Sequence, residues 1–193
     1  MPNPSRTVII RLAAAVAVIA TCLSPAGAAA SARSSMPETP AALPAPSEAQ
    51  ATEIAARFFD PLLAAAKTDR ERASLLHQRG VLYLRADVKA HALSDLEEAV
   101  RLVPKGDEER LDMRFHRACA YLLLPTPNAD AAIADLSACI AARPRDAEAL
   151  LLRALAYRKR GSSAAADADV ARARPLLAPG DARLQALLEA AAK

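Results

Sequence analysis

Tryptophan is absent, and three tyrosines with three phenylalanines are the only aromatic side chains, although 53% of the 193 residues are hydrophobic. The apolar surface is therefore carried by alanine and leucine, the residues that cost least in a helix, and an all-α chain is expected. Glycine is nearly as scarce, with Gly27, Gly80, Gly106, Gly161 and Gly180 as the full set. The last three follow expected helix ends, where a left-handed cap favours glycine. None is left to cradle a phosphate, and no Gly-x-Ser-x-Gly elbow, His-Glu-x-x-His pair or Cys-x-x-Cys-His haem site occurs. The chain is expected not to be an enzyme and to need no cofactor. An excess of one charge is missing too. Setting aside Arg6 and Arg11 in an expected leader leaves 23 basic residues against 22 acidic, a net of +1. That balance offers no electrostatic footprint for nucleic acid.

Long apolar runs are also lacking. The longest, Leu12 to Leu23, is too short to cross a hydrocarbon core of ~30 Å, so no stable membrane span is expected. It follows a short basic start and precedes Ala26-Gly27-Ala28 and Ala28-Ala29-Ala30, the pattern of a secretory signal peptide over residues 1–30. A periplasmic or secreted location follows. The rival is a lipid anchor at Cys22, because Ile19-Ala20-Thr21-Cys22 approaches a lipoprotein box, though Thr21 stands where Gly, Ala or Ser is usual. Residues 31–47 hold Pro37, Pro40, Pro44 and Pro46 among Ala and Ser and read as a disordered linker.

What is present is a spacing used repeatedly. From Ala73 onward, Leu76, Gly80 and Tyr83 share one helix face, and Ala92, Leu96 and Ala99 share the face of a second helix that Pro104 ends. A second copy reads Arg117-Ala118-Cys119-Ala120-Tyr121, then Ala132, Leu136, Cys139 and Pro144, with two extra residues near Pro125-Thr126-Pro127-Asn128. A register without that insertion places Ala120 and Leu123 on the face instead. The third copy reads Leu150, Arg153-Ala154-Leu155-Ala156-Tyr157, Ala166, Val170 and Ala173, with Pro179 one place late. In all three, an arginine (Arg79, Arg117, Arg153) stands four residues before the tyrosine.

This pattern resembles the tetratricopeptide repeat, a helix-turn-helix unit of roughly 34 residues, with Arg79 where leucine is usual. The resemblance implies a right-handed α-α superhelix of about three repeats (73–106, 111–146 and 147–180) inside a helical domain over 48–193. Helical caps are expected before the first repeat, where Ile54, Phe58, Leu62 and Leu63 recur around Pro61, and over 181–192; the alternative for the first of these segments is a partner-binding helix that swings away from the repeats. Pro61 predicts a kink or two short helices. Thr68 and Glu71 fit a capping box, and Asp107, Asn128, Asp146, Ser162 and Asp181 are expected N-caps.

The candidate chemistry is thin. His77, His91 and His116 are the only histidines, and His116 with Cys119 makes two ligands on one helix face, too few for a metal site. Cys119 and Cys139 lie on the two helices of one repeat, and a disulfide between them is the hypothesis for an oxidising compartment. Without it they pack as small apolar residues. The family commonly lines a concave groove with fixed positions of each first helix. By resemblance these are His77, Val81, Leu84 and Arg85, then Phe115, Cys119, Leu122 and Leu123, then Leu151, Leu155, Arg158 and Lys159. The expected function is a non-enzymatic interaction scaffold or adaptor of the cell envelope that holds an apolar peptide or helix in that groove. The alternatives are a periplasmic carrier of an apolar small molecule or lipid, and a lipid-anchored assembly factor.

Overall fold

The computed structural model describes residues 45–193; the expected leader, the rival lipid-anchor site at Cys22 and most of the expected linker lie outside the described residues. Among the described residues there are helices and no strand, and no helix is long and apolar enough to cross a membrane. Helix α1 (Glu48–Ile54) begins at a capping box of Ser47 and Gln50. It runs through a wide π turn (Ala55–Phe59) into α2 (Asp60–Ala65). The two short helices expected around Pro61 are thus present, joined by the π turn without a gap. Pro61 offers no amide to the carbonyl four residues earlier, and the chain widens just ahead of it, with the Asp60 N–H donating to the Ala55 carbonyl five residues back.

The three hairpins follow. They are α3 (Asp69–Arg85) with α4 (Lys89–Leu102), α5 (Glu108–Leu123) with α6 (Ala129–Ala142), and α7 (Ala147–Arg160) with α8 (Ser163–Ala173). A 3-10 turn (Arg174–Leu176) leads to α9 (Ala182–Ala192). Their starts obey local rules. Thr68 accepts from the Glu71 amide at 3.1 Å while Glu71 accepts from the Thr68 amide at 3.2 Å, and the amides of Lys67, at 2.9 Å, and Thr68 hold the Glu71 carboxyl below its usual range. Asp107, Asn128, Asp146 and Asp181 each accept from a first-turn amide. Ser162 departs from expectation: it stands at the N-cap of α8 without a side-chain bond to the helix, its hydroxyl accepting instead from Arg160 Nε at 3.1 Å.

Helices that follow one another in the chain pack together, α3 also touches α5, and α5 touches α7. Helix α9 packs on α7 and α8, while α1 and α2 sit on α3. The crossings are lined by residues with little or no side chain. Ala92, Ala99, Ala118, Ala132, Cys139, Ala166 and Ala173 are fully buried. At Gly80 an added Cβ would lie 2.8 Å from Leu96 Cγ, so only glycine permits this approach of α3 to α4. One apolar core runs from Ala51 and Ala55 to Ala191, and a smaller one joins Leu63, Leu76, Val103 and Met113 at the N-terminal end.

Candidate functional site

The three arginines of the repeated motif all turn inward and grip an aspartate on the second helix of their own hairpin. Arg79 donates to Asp95 through Nε at 2.7 Å and Nη2 at 2.8 Å. Arg117 meets Asp135 with the same two distances, as does Arg153 with Asp169. The aspartates are 7%, 2% and 3% exposed, and the fork-to-fork contact raises the pKa of each arginine. Sequence reasoning found the arginines and missed their partners. The available signal was an aspartate immediately before the large apolar residue of each second helix: Asp95-Leu96, Asp135-Leu136 and Asp169-Val170.

The clamp also decides the register of the middle hairpin. Arginine and aspartate are 16 residues apart in the first and third hairpins and 18 apart in the second. The two extra residues thus lie in the connection, and Arg117 is the counterpart of Arg79 and Arg153. Each unit is further tied to the one before it. Arg79 Nη1 reaches Asp60 of α2 at 2.6 Å, Arg153 Nη1 reaches Ser137 of α6 at 3.0 Å, and the Tyr121 hydroxyl donates to Glu97 of α4 at 2.8 Å. Burial, reinforced by that carboxylate, pushes the Tyr121 phenol up to about 12. Arg114 adds a second guanidinium to Asp135 at 2.8 Å. Arg110, on the same face of α5, has its pKa lowered by burial and by the neighbouring charges of Arg114 and Arg117, and it donates to the Val103 carbonyl.

The expected groove residues divide. Leu84, Cys119, Leu122, Leu151 and Leu155 are between 0% and 4% exposed and belong to the core shared by the hairpins, as does Leu123 at 5%. In this conformation they have no face for a ligand, because they are enclosed in that shared core. His77, Val81, Arg85 and Phe115 are half-buried, and Lys159 is exposed. Arg158 has a structural partner instead of a ligand: Nε donates to the Ala191 carbonyl at 3.1 Å and Nη2 to Asp167 at 2.6 Å. It closes the negative end of α9.

His77 and His116 come together across α3 and α5, with Nε2 and Nδ1 2.8 Å apart. His116 Nδ1 is also 2.8 Å from the Asp112 carbonyl. A carbonyl only accepts, so the proton resides on His116 Nδ1, and His77 Nε2 faces the same N–H as an acceptor. Burial, then the neighbouring His116, pushes His77 down to about 3; burial also lowers His116. Cys119 and Cys139 are both buried free thiols, so the hypothesised bridge is not formed. Cys139 Sγ donates to the Leu111 carbonyl at 3.3 Å, at a level some two turns, ~12 Å, before Cys119 along α5.

Exposed large apolar side chains are found on the N-terminal segment, where Phe58 is 55% and Leu62 52% exposed. Phe58 lies on the wall of an open cleft of about 510 Å³ between that segment and α3, shared with Ile54, Leu82, Arg57 and Arg85. Sequence reasoning gave this segment to the cap, and one face of it does cap: Ala51, Ala55 and Leu63 are buried.

Together these features define an all-helical chain in which one arginine–aspartate hairpin is used three times. Comparison of the chain with protein-family models, with curated proteins and with solved structures gives no match.

Proposed function

We propose that the chain is a tetratricopeptide-like solenoid serving as a non-enzymatic interaction scaffold of the bacterial envelope, exported by its leader. The observation that carries this reading is the threefold clamp: Arg79–Asp95, Arg117–Asp135 and Arg153–Asp169 occupy one position in three successive hairpins. Repetition of a unit that touches mainly its neighbours builds an extended array rather than a closed pocket, and such arrays act by presenting surface. The buried carboxylates and the paired histidines support this, because each is spent on another group of the fold: aspartate on arginine, Glu148 on Arg183, and histidine on histidine.

Chemical cross-linking in intact cells that express the full chain, followed by identification of the linked peptides, tests the reading. A protein joined reproducibly to the helical region supports a scaffold. A co-purifying lipid or small molecule without a linked protein, seen by native mass spectrometry, favours the carrier.

A further inference from the structure

Within helices α3 to α8 almost every arginine meets a carboxylate or a backbone carbonyl, from Arg70 with Asp107 to Arg172 with Asp169. Arg85, at the end of α3, meets neither among the described residues. Arg57, on the π turn, is likewise without an ion pair there and lies over the Phe58 ring, 5.4 Å from its centre. Both unpaired guanidinia line the same cleft, together with Ile54, Phe58 and Leu82. Glu53 is the one acid of that lining and pairs with neither.

We propose that this cleft is the docking site of the scaffold, and that its occupant is a peptide segment presenting a carboxylate beside a large apolar side chain. The inference rests on the scaffold reading and names the surface and the partner chemistry. Most of the apolar positions expected to form the groove are enclosed in the core, which leaves Phe58 as the exposed apolar anchor of this cleft. A phenylalanine sharing a cleft with two arginines matches the residue types enriched at protein interfaces. The net positive lining selects an anionic group, and a planar guanidinium fork matches a carboxylate. The wide turn sets this arrangement. It keeps Ala55 and Leu63 against the fold while Phe58 and Leu62 face outward.

The test is a selection of displayed random dodecapeptides on the full chain, followed by binding titrations of the recovered sequences. Asp or Glu is expected next to Leu, Ile or Phe in the recovered peptides. Affinity is expected to fall at least tenfold with the Arg57→Gln, Arg85→Gln double variant and with Phe58→Ser. None of these side chains is fully buried, so circular dichroism should show all variants folded. Recovered peptides without acidic residues, or bound equally by the variants, overturn the proposal. So does a chain that recovers nothing because residues 1–44 or a second copy fill the cleft. A cross-linked cellular partner retained by the double variant overturns the cleft and leaves the scaffold standing.

Discussion

Arg153 and Asp169 face each other through two parallel hydrogen bonds, with 13% and 4% of their side chains exposed. Removing one partner of such a pair leaves an uncompensated buried charge and costs about 3–5 kcal/mol, whereas replacing both with apolar residues is often close to neutral. Asp169→Ala is therefore expected to lower unfolding free energy by about 3 kcal/mol, and Arg153→Leu with Asp169→Leu to recover most of that loss. Urea unfolding followed by circular dichroism measures both. A double variant no more stable than the single one would mean that the pair contributes more than charge neutralisation.

Gly80 is expected to resist even the smallest side chain. An added methyl meets Leu96 Cγ at 2.8 Å and the Ala92 carbonyl at 3.3 Å, and Leu96 is fully buried with no room to yield. Alanine gains about 1 kcal/mol in helix propensity, while overpacking costs about 1–3 kcal/mol. Gly80→Ala should thus be destabilising by about 1 kcal/mol, and Leu96→Val should restore part of the loss in the double variant. A thermal melt of the three proteins decides it, and a higher melting temperature for Gly80→Ala would show that α3 and α4 are further apart than described.

These two cases also mark what was legible in the sequence. Gly80, Tyr83 and the caps at Thr68, Asp107 and Asp146 follow from rules spanning a few residues, and they stand where expected. Asp95, Asp135 and Asp169 do not follow from such rules. Hydrophobic periodicity assigns a carboxylate to solvent, and only an arginine on the preceding helix turns it inward. The burial of many expected groove residues was hidden for a related reason. A position fixes the direction of a side chain, but its length and neighbours decide whether a ligand can reach it, and leucines at 84, 122, 151 and 155 are enclosed in the core. Pro61 signalled an interruption without revealing that the helix would widen and continue.

Acid should destabilise the fold through His77 and His116. His77 is held to about 3 against an ordinary 6.5, so between these values the unfolded chain binds a proton that the folded chain refuses. Stability is then complete above pH 6.5 and falls as the pH drops towards 3, by about 1.4 kcal/mol per unit for one histidine. Asp112 is the carboxylate facing the pair and softens the effect, while Arg143, bound to Asp112 at 2.6 Å, offsets that help. The urea midpoint of the wild type should fall more steeply between pH 7 and 4.5 than that of His77→Leu. Parallel curves would show that the folded protein accepts the proton at His77.

The two thiols should be silent until the protein unfolds. Burial pushes Cys139 up to about 12, so almost no thiolate exists near neutral pH, and Cys119 is fully enclosed. A disulfide requires Cα atoms roughly 5.5–6 Å apart, and the contact of Cys139 with the Leu111 carbonyl sets it at a different level of α5 from Cys119. Maleimide applied to the oxidised, folded protein is expected to leave both residues unmodified, and applied in denaturing urea without reductant to label both. Peptide mass spectrometry distinguishes the outcomes. Peptides joined through Cys119 and Cys139, lighter by two hydrogens, would require α5 and α6 to slide against each other by more than a helical turn. Such a slide would also break the Arg117–Asp135 clamp that sets their register.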